Sequence, residues 1–291
     1  YDNAHNLPAE TITGLVDAYP VGHAKHRSAV LGMRGMNVVG EPVYAGAFNR
    51  ALHERALTFN PHLPVFEAID FGKHHPCVVV AQQPLHGGLY LLGGILGQDM
   101  FLDDFVPLVK QQIEEWFPGH QGIQVCCDPA GSHQNSQGAR FNGVDILKRF
   151  GWNPFVRPDA NSPSARAAAI EAIGMHMRRR LPGGAEAFRV EADPARWIRV
   201  SIDGPKCDPV MADALEAGYV WSEHMVSVGN KQIRQPKKDG WFEHPANCLE
   251  YLELSYGASK PTEDERRKRL AGMRAGGSTT VPRGTGMDWA G

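Results

Sequence analysis

Three apolar runs, at residues 65–71, 77–83 and 88–96, follow one another with only short Gly- and Pro-containing connections such as PLHGG. Runs of this length, rich in Val, Ile and Leu and bounded by turn residues, read as strands, and links this short favour antiparallel neighbours. The middle of the chain is therefore expected to fold as an antiparallel meander. The first run, VFEAIDFG, carries Asp70 among Val65, Phe66, Ala68 and Ile69. An ionised carboxylate inside a buried strand has to be paired or to hold a metal.

The remaining pattern places this meander in a larger mixed architecture. LDDFVPLVKQQIEEWF (102–117) has apolar residues at helical spacing after the cap-like Asp103 and Asp104, and Pro118-Gly119 stops it. IQVCCD then reads as a strand with Asp128 at its C-terminal tip, followed at once by Pro129. FNGVDILKRFG reads as a helix, NPFVRP as a strand, SPSARAAAIEAIGMHMRRR as a long helix with Pro163 in its first turn, CDPVMADALEAGY as a shorter helix, and HPANCLEYLEL as a final amphipathic helix. The order βββ, α, β, α, β, α predicts an α/β fold with a mixed sheet, three antiparallel strands joined to parallel ones and flanked by helices, in the order of a ribonuclease H-like fold. Residues 1–60 show no sustained period and read as a linker or lead-in, residues 61–256 as the folded domain, and residues 257–291, rich in Gly, Pro and Arg, as a flexible tail.

Bulk composition narrows the partners. The formal charge of −2 gives no global basic signature, so any polyanion site has to be local. Five cysteines without CxxC spacing suggest neither a disulfide framework nor a zinc cluster, and fit a reducing compartment. No apolar run approaches the ~18 residues that span a membrane, and no signal peptide is recognisable. An opening Tyr1 rather than Met suggests a piece of a longer protein.

Asp70 and Asp128 become neighbours if their strands lie side by side. Two carboxylates held together at neutral pH repel unless a divalent cation lies between them, and such a pair plus a third ligand is what two-metal phosphodiester hydrolysis needs. The competing structural reading has Asp70 capping a bulge before Gly72 and Asp128 opening a turn with Pro129. The letters DFG at 70–72 do not indicate a protein kinase, because no HRD-type loop and no Gly-rich phosphate loop accompany them.

AIDFGKHHPCVVVA, IQVCCDPAG, and the stretch from RWIRV through CDPVMADALEAGYVW to EHPANCLEYLEL together resemble the nuclease domain of the large terminase subunit of tailed bacteriophages, over roughly residues 40–255. The resemblance implies a metal-dependent endonuclease that cuts concatemeric double-stranded viral DNA at the start and end of packaging, using Mg²⁺ or Mn²⁺, with two ions expected. It also implies the portal protein and the small terminase subunit as partners, a host-cell cytoplasmic location, and a packaging ATPase ahead of the nuclease; no Walker A loop is present, so residues 1–60 would be at most the end of that motor.

Asp70 and Asp128 match the family's first two metal-binding acids. The third acid slot, near the start of the last helix, holds Asn247, which offers a carbonyl oxygen but no charge. It is a natural variant, an inactivating substitution, a helix-terminal cap, or a slot whose role passes to Glu243 or Glu250, which share its helical face. His244 is expected to support the site or carry a proton near the leaving oxygen. Lys231, Arg234, Lys237 and Lys238, read as a loop leading to the last helix, are the expected DNA contacts. The alternatives are a Holliday-junction resolvase-like or transposase-like nuclease, and a weakly catalytic module that docks DNA or portal within a packaging motor.

Overall fold

The computed structural model describes residues 8–19, 40–72, 74–84, 87–120, 122–132 and 142–257. The basic HAKHRSAVLGMRG segment, the tail beyond residue 257 and its Arg266–Arg269 run lie outside the described residues. The chain enters through α1 (Ala9–Ala18), which buries no residue, and then α2 (Arg50–His53) and β1 (Glu54–Arg55). The meander follows as β2 (Val65–Asp70), β3 (Cys77–Gln82) and β4 (Leu89–Gly97). Next come α3 (Leu102–Trp116), β5 (Ile123–Cys127), α4 (Gly143–Arg149), β6 (Phe155–Val156) and α5 (Pro163–Arg178). The last third holds β7 (Phe188–Glu191), β8 (Trp197–Ser201), β9 (Gly204–Cys207), α6 (Val210–Asp213), β10 (Trp221–Val228), β11 (Lys231–Pro236) and α7 (Glu243–Leu252).

Nine strands form one mixed sheet in the order β1-β7-β4-β3-β2-β5-β6, with β8 also on β4 and β9 on β8. β2, β3 and β4 are antiparallel as expected, whereas β5 joins β2 in parallel and β6 joins β5 in parallel. Central strands covered on both faces are expected to be apolar throughout, and every residue of β2 and β3 is buried. The two faces of β2 sort by strand periodicity. Phe66 and Ala68 face the core shared with α5, α6 and α7; Val65 and Ile69 face the core shared with α3 and α4. Asp70, in phase with Phe66 and Ala68, consequently faces α7.

Three details depart from the sequence reading. The lead-in is part of the fold from about residue 42: Tyr44, Ala47, Phe48 and His53 are buried, and β1 extends the sheet by pairing with β7. Its contribution is a few scattered anchors, which leaves no periodic trace. The stretch 231–238 is not a simple loop either, because Lys231–Pro236 pairs antiparallel with β10 in a separate two-stranded hairpin. Gly229, at φ 57°, makes its two-residue turn with Asn230. Asp103 and Asp104 lie in the first turn of α3 without capping it by a side-chain bond.

Candidate active site

The site begins with register. β2 and β5 run parallel with Ile69 opposite Cys127, and the amide of Asp128 donates to the Ile69 carbonyl at 3.0 Å. One step further along each strand stand Asp70 and Asp128, side by side at the C-terminal rim of the sheet. The two residues after Asp70 fix the exit. Gly72 has φ 24°, and a Cβ there would lie 2.3 Å from the His75 carbonyl oxygen, so only glycine fits the turn. Its amide donates back to Asp70 Oδ1 at 3.2 Å. Phe71 wedges its ring between Gly131 and Gly143, each of which would collide with it if it carried a Cβ. The DFG letters are thus accounted for by a carboxylate, a wedge and a turn.

Helix α7 brings the next layer. Cys248 donates its thiol to the Cys77 carbonyl at 3.3 Å, docking the helix on β3 beside Asp70, which pairs with Cys77 across the ladder. From that position Asn247 Nδ2 donates to Asp70 Oδ2 at 2.8 Å, and His244 Nδ1 lies 3.3 Å from the same oxygen. Asp128 is held from the other side: the Ala130 amide and Asn161 Nδ2 donate to its Oδ1 at 2.8 and 2.7 Å, and Tyr251 donates to Asn161 Oδ1 at 3.0 Å.

The electrostatics follow this geometry. Burial and then the charge of Asp70 raise the Asp128 carboxyl above the ordinary aspartate range, against the lowering effect of the Ala130 amide, Asn161 and Tyr251. Burial by itself would lower the His244 imidazolium, but the hydrogen bond and charge of Asp70, with Glu243 and Asp239, outweigh it and raise the pKa above 6.5. Glu243, half-buried at the start of α7, is raised by burial and by Asp239 and Asp70, while His244 and Lys238 pull it down. The rim gathers the carboxyl groups of Asp70, Asp128 and Glu243 with one imidazole leaning into it.

Such a site suits a hard cation. Among the described residues no group of three or more His, Cys, Asp or Glu side chains is placed to hold a metal ion. Mg²⁺, however, is commonly bound through one or two carboxylates, with waters and substrate phosphates completing its octahedron. Asp70 and Asp128 meet that requirement.

The expected residues therefore divide. Asp70, Asp128, His244 and Asn247 converge, and Glu243 stands within their field. Glu250 does not serve as a substitute ligand: it is buried with Oε2 on Arg166 Nε at 2.8 Å and Oε1 accepting the Tyr219 hydroxyl, because α7 turns it toward α5. Asn247 is not a terminal cap, since it lies inside α7. Of the basic set, Arg234 is ion-paired with Glu41 and lies over the Trp221 ring at 5.5 Å, while Lys231, Lys237 and Lys238 are exposed and have no carboxylate within ion-pair distance among the described residues.

Sequence reasoning missed Arg166, Tyr219, Asn161 and Tyr251. Arg166 was detectable, because it falls in phase with the buried Ala169, Ile170, Ile173 and Met177 of α5, a stripe where a lone guanidinium needs a partner. Its partners are Glu250, the Tyr219 hydroxyl at 2.9 Å and Asn247 Oδ1 at 2.7 Å. Burial opposes its charge and Glu250 outweighs burial, so the guanidinium stays protonated.

The sheet order and the flanking helices define an α/β fold of the ribonuclease H-like kind. Among solved structures the chain is similar to the large terminase of a thermophilic bacteriophage, at 13% identity and a TM-score of 0.51, with 89% of this chain and 55% of that chain covered. It is also similar to the bacteriophage HK97 large terminase, at 9% identity and a TM-score of 0.46, covering 87% of this chain and 51% of that one. The terminase resemblance read from the sequence holds at the level of the fold. The chain spans about half the length of the structures it matches. No family model matches the chain, and no curated relative is found.

Proposed function

We propose that residues 42–257 form the nuclease domain of a viral DNA-packaging terminase, a metal-dependent endodeoxyribonuclease acting on double-stranded DNA. The observation that carries this reading is the juxtaposition of Asp70 and Asp128 on adjacent parallel strands, close enough for Asp70 to raise the Asp128 carboxyl. Mg²⁺ or Mn²⁺ held by that pair supplies a Lewis acid for a phosphodiester oxygen and for water. Asp70 and Asp128 would hold the ion, Asn161 and Tyr251 would orient Asp128, and His244, braced on Asp70, would pass a proton to the leaving oxygen. Lys231, Lys237 and Lys238 would track the DNA backbone from the hairpin and the segment beyond it. Portal protein and small terminase subunit are the partners, and the host cytoplasm the location, that this reading entails. No described helix is long and apolar enough to cross a membrane.

Plasmid digestion with Mn²⁺, Mg²⁺ or EDTA tests the proposal. Metal-dependent nicking and linearisation that disappear in Asp70→Ala are expected, whereas cutting that survives in Asp70→Ala would reject the site. A second reading is favoured by Asn247 alone: a nuclease-shaped module that clamps DNA or docks on the portal without useful catalysis. An inert wild type that still retards duplex DNA would select it. A resolvase-like enzyme would instead cut branched junctions in preference to linear duplex.

A further inference from the structure

Asn247 stands between two neighbours of opposite demand. Its amide nitrogen donates to Asp70 Oδ2 at 2.8 Å and its carbonyl oxygen accepts from Arg166 Nη2 at 2.7 Å. Turning the amide over would put a carbonyl against a carboxylate and an NH₂ against a guanidinium, so both contacts enforce the observed orientation. Arg166 is itself fixed, since Glu250 and Tyr219 hold the same guanidinium.

The consequence concerns metal. A cation shared between Asp70 and position 247 needs an oxygen from position 247, and asparagine has only one acceptor arm. Arg166 turns that arm toward itself: the carbonyl keeps a second lone pair, but it faces the guanidinium while the NH₂ occupies the side toward Asp70. An aspartate there would have two oxygens, one to keep the guanidinium and one to present to an ion; asparagine faces Asp70 with a donor instead. On the far side of Asp70 nothing comparable intervenes, because Asp128 brings a carboxylate.

Building on the nuclease reading above, we propose that Arg166 sequesters the carbonyl of Asn247 and that the site in this chain accordingly binds one divalent cation, at Asp70 and Asp128, rather than two. Arg166 acts here as a positioning residue through Asn247. One half-buried arginine thereby sets the metal stoichiometry.

Counting bound Mn²⁺ on the full chain, by titration with electron paramagnetic resonance of the free ion, tests this without reference to cleavage. Wild type is expected to bind one ion and Asn247→Asp two. A charge-balanced Arg166→Gln/Glu250→Gln double variant, which frees the Asn247 carbonyl, is expected to gain a second, weaker ion and provides the test if Asn247→Asp does not fold. Two ions on wild type would overturn the inference and leave the nuclease reading standing. One ion on a folded Asn247→Asp would overturn it as well, since Asn247 would then not be the determinant. No ion on wild type would overturn the metal-dependent nuclease reading itself, and the inference with it.

Discussion

Asn161 donates its side-chain amide to Asp128 at 2.7 Å from the residue just before the N-cap of α5. Groups that hold a ligand carboxylate in place typically contribute 10- to 100-fold to metal affinity or activity. Asn161→Ala is therefore expected to weaken Mn²⁺ binding by about 10-fold or more, with Tyr251→Phe giving a smaller loss because it acts one bond further out. Calorimetric titration of Mn²⁺ into the three proteins checks the order; equal affinities would remove both residues from the site.

Glu67 is fully buried on β2, with both carboxylate oxygens lacking a hydrogen-bond partner among the described residues. Burial pushes its carboxyl up to about 8, and the charge of Lys110 pulls the other way. In the unfolded chain the group titrates near 4.3, so between that value and about 8 the folded state holds the extra proton. Stability must then fall as pH rises across this window and flatten above it. Glu67→Met should abolish this component of the slope and raise the melting temperature most at pH 8 and above, as thermal denaturation from pH 5 to 9 would reveal; parallel curves for the two proteins would refute the assignment.

The Phe71 wedge predicts a coupled pair. Adding a methyl at Gly131 places a Cβ 1.8 Å from the Phe71 ring, and overpacking of this kind costs about 1 to 3 kcal/mol. Gly131→Ala is expected to lose that stability and to disturb both rim aspartates. In combination with Phe71→Ala, which vacates the space, the added cost of Gly131→Ala should largely vanish. A double-mutant cycle by chemical denaturation measures the coupling, and simple additivity would argue against the contact.

Exposed lysines that contact DNA phosphates release counterions. Replacing Lys231, Lys237 and Lys238 by alanine should lower duplex affinity across sequences and reduce the magnitude of the log K against log salt slope by roughly 2 to 3. Fluorescence anisotropy at several salt concentrations reads both. An unchanged slope would place the DNA elsewhere.

The meander, the Asp70 and Asp128 positions and the helix carrying His244 and Asn247 were legible because each depends on local periodicity or on a carboxylate at an unusual place in a strand. The Arg166–Glu250–Tyr219 network was not, because it exists only once α5 packs against α7; the sequence shows that Arg166 needs a partner but not which acid answers. The hairpin was missed for a different reason. β10 and β11 are mostly exposed and polar, so alternation is weak, and the informative signal was the Gly229-Asn230 turn rather than the strands. Tyr44, Phe48 and His53 enter the core singly, without a period to announce them.

That early segment has a practical consequence. β7 has β4 on one side and β1 on the other, so a fragment trimmed to begin at residue 61 would bare a sheet edge together with the apolar cavity vacated by Tyr44 and Phe48. Unpaired edges recruit other chains. Such a truncation should be prone to self-association for reasons unrelated to its chemistry, whereas one beginning near residue 40 carries its own edge guard.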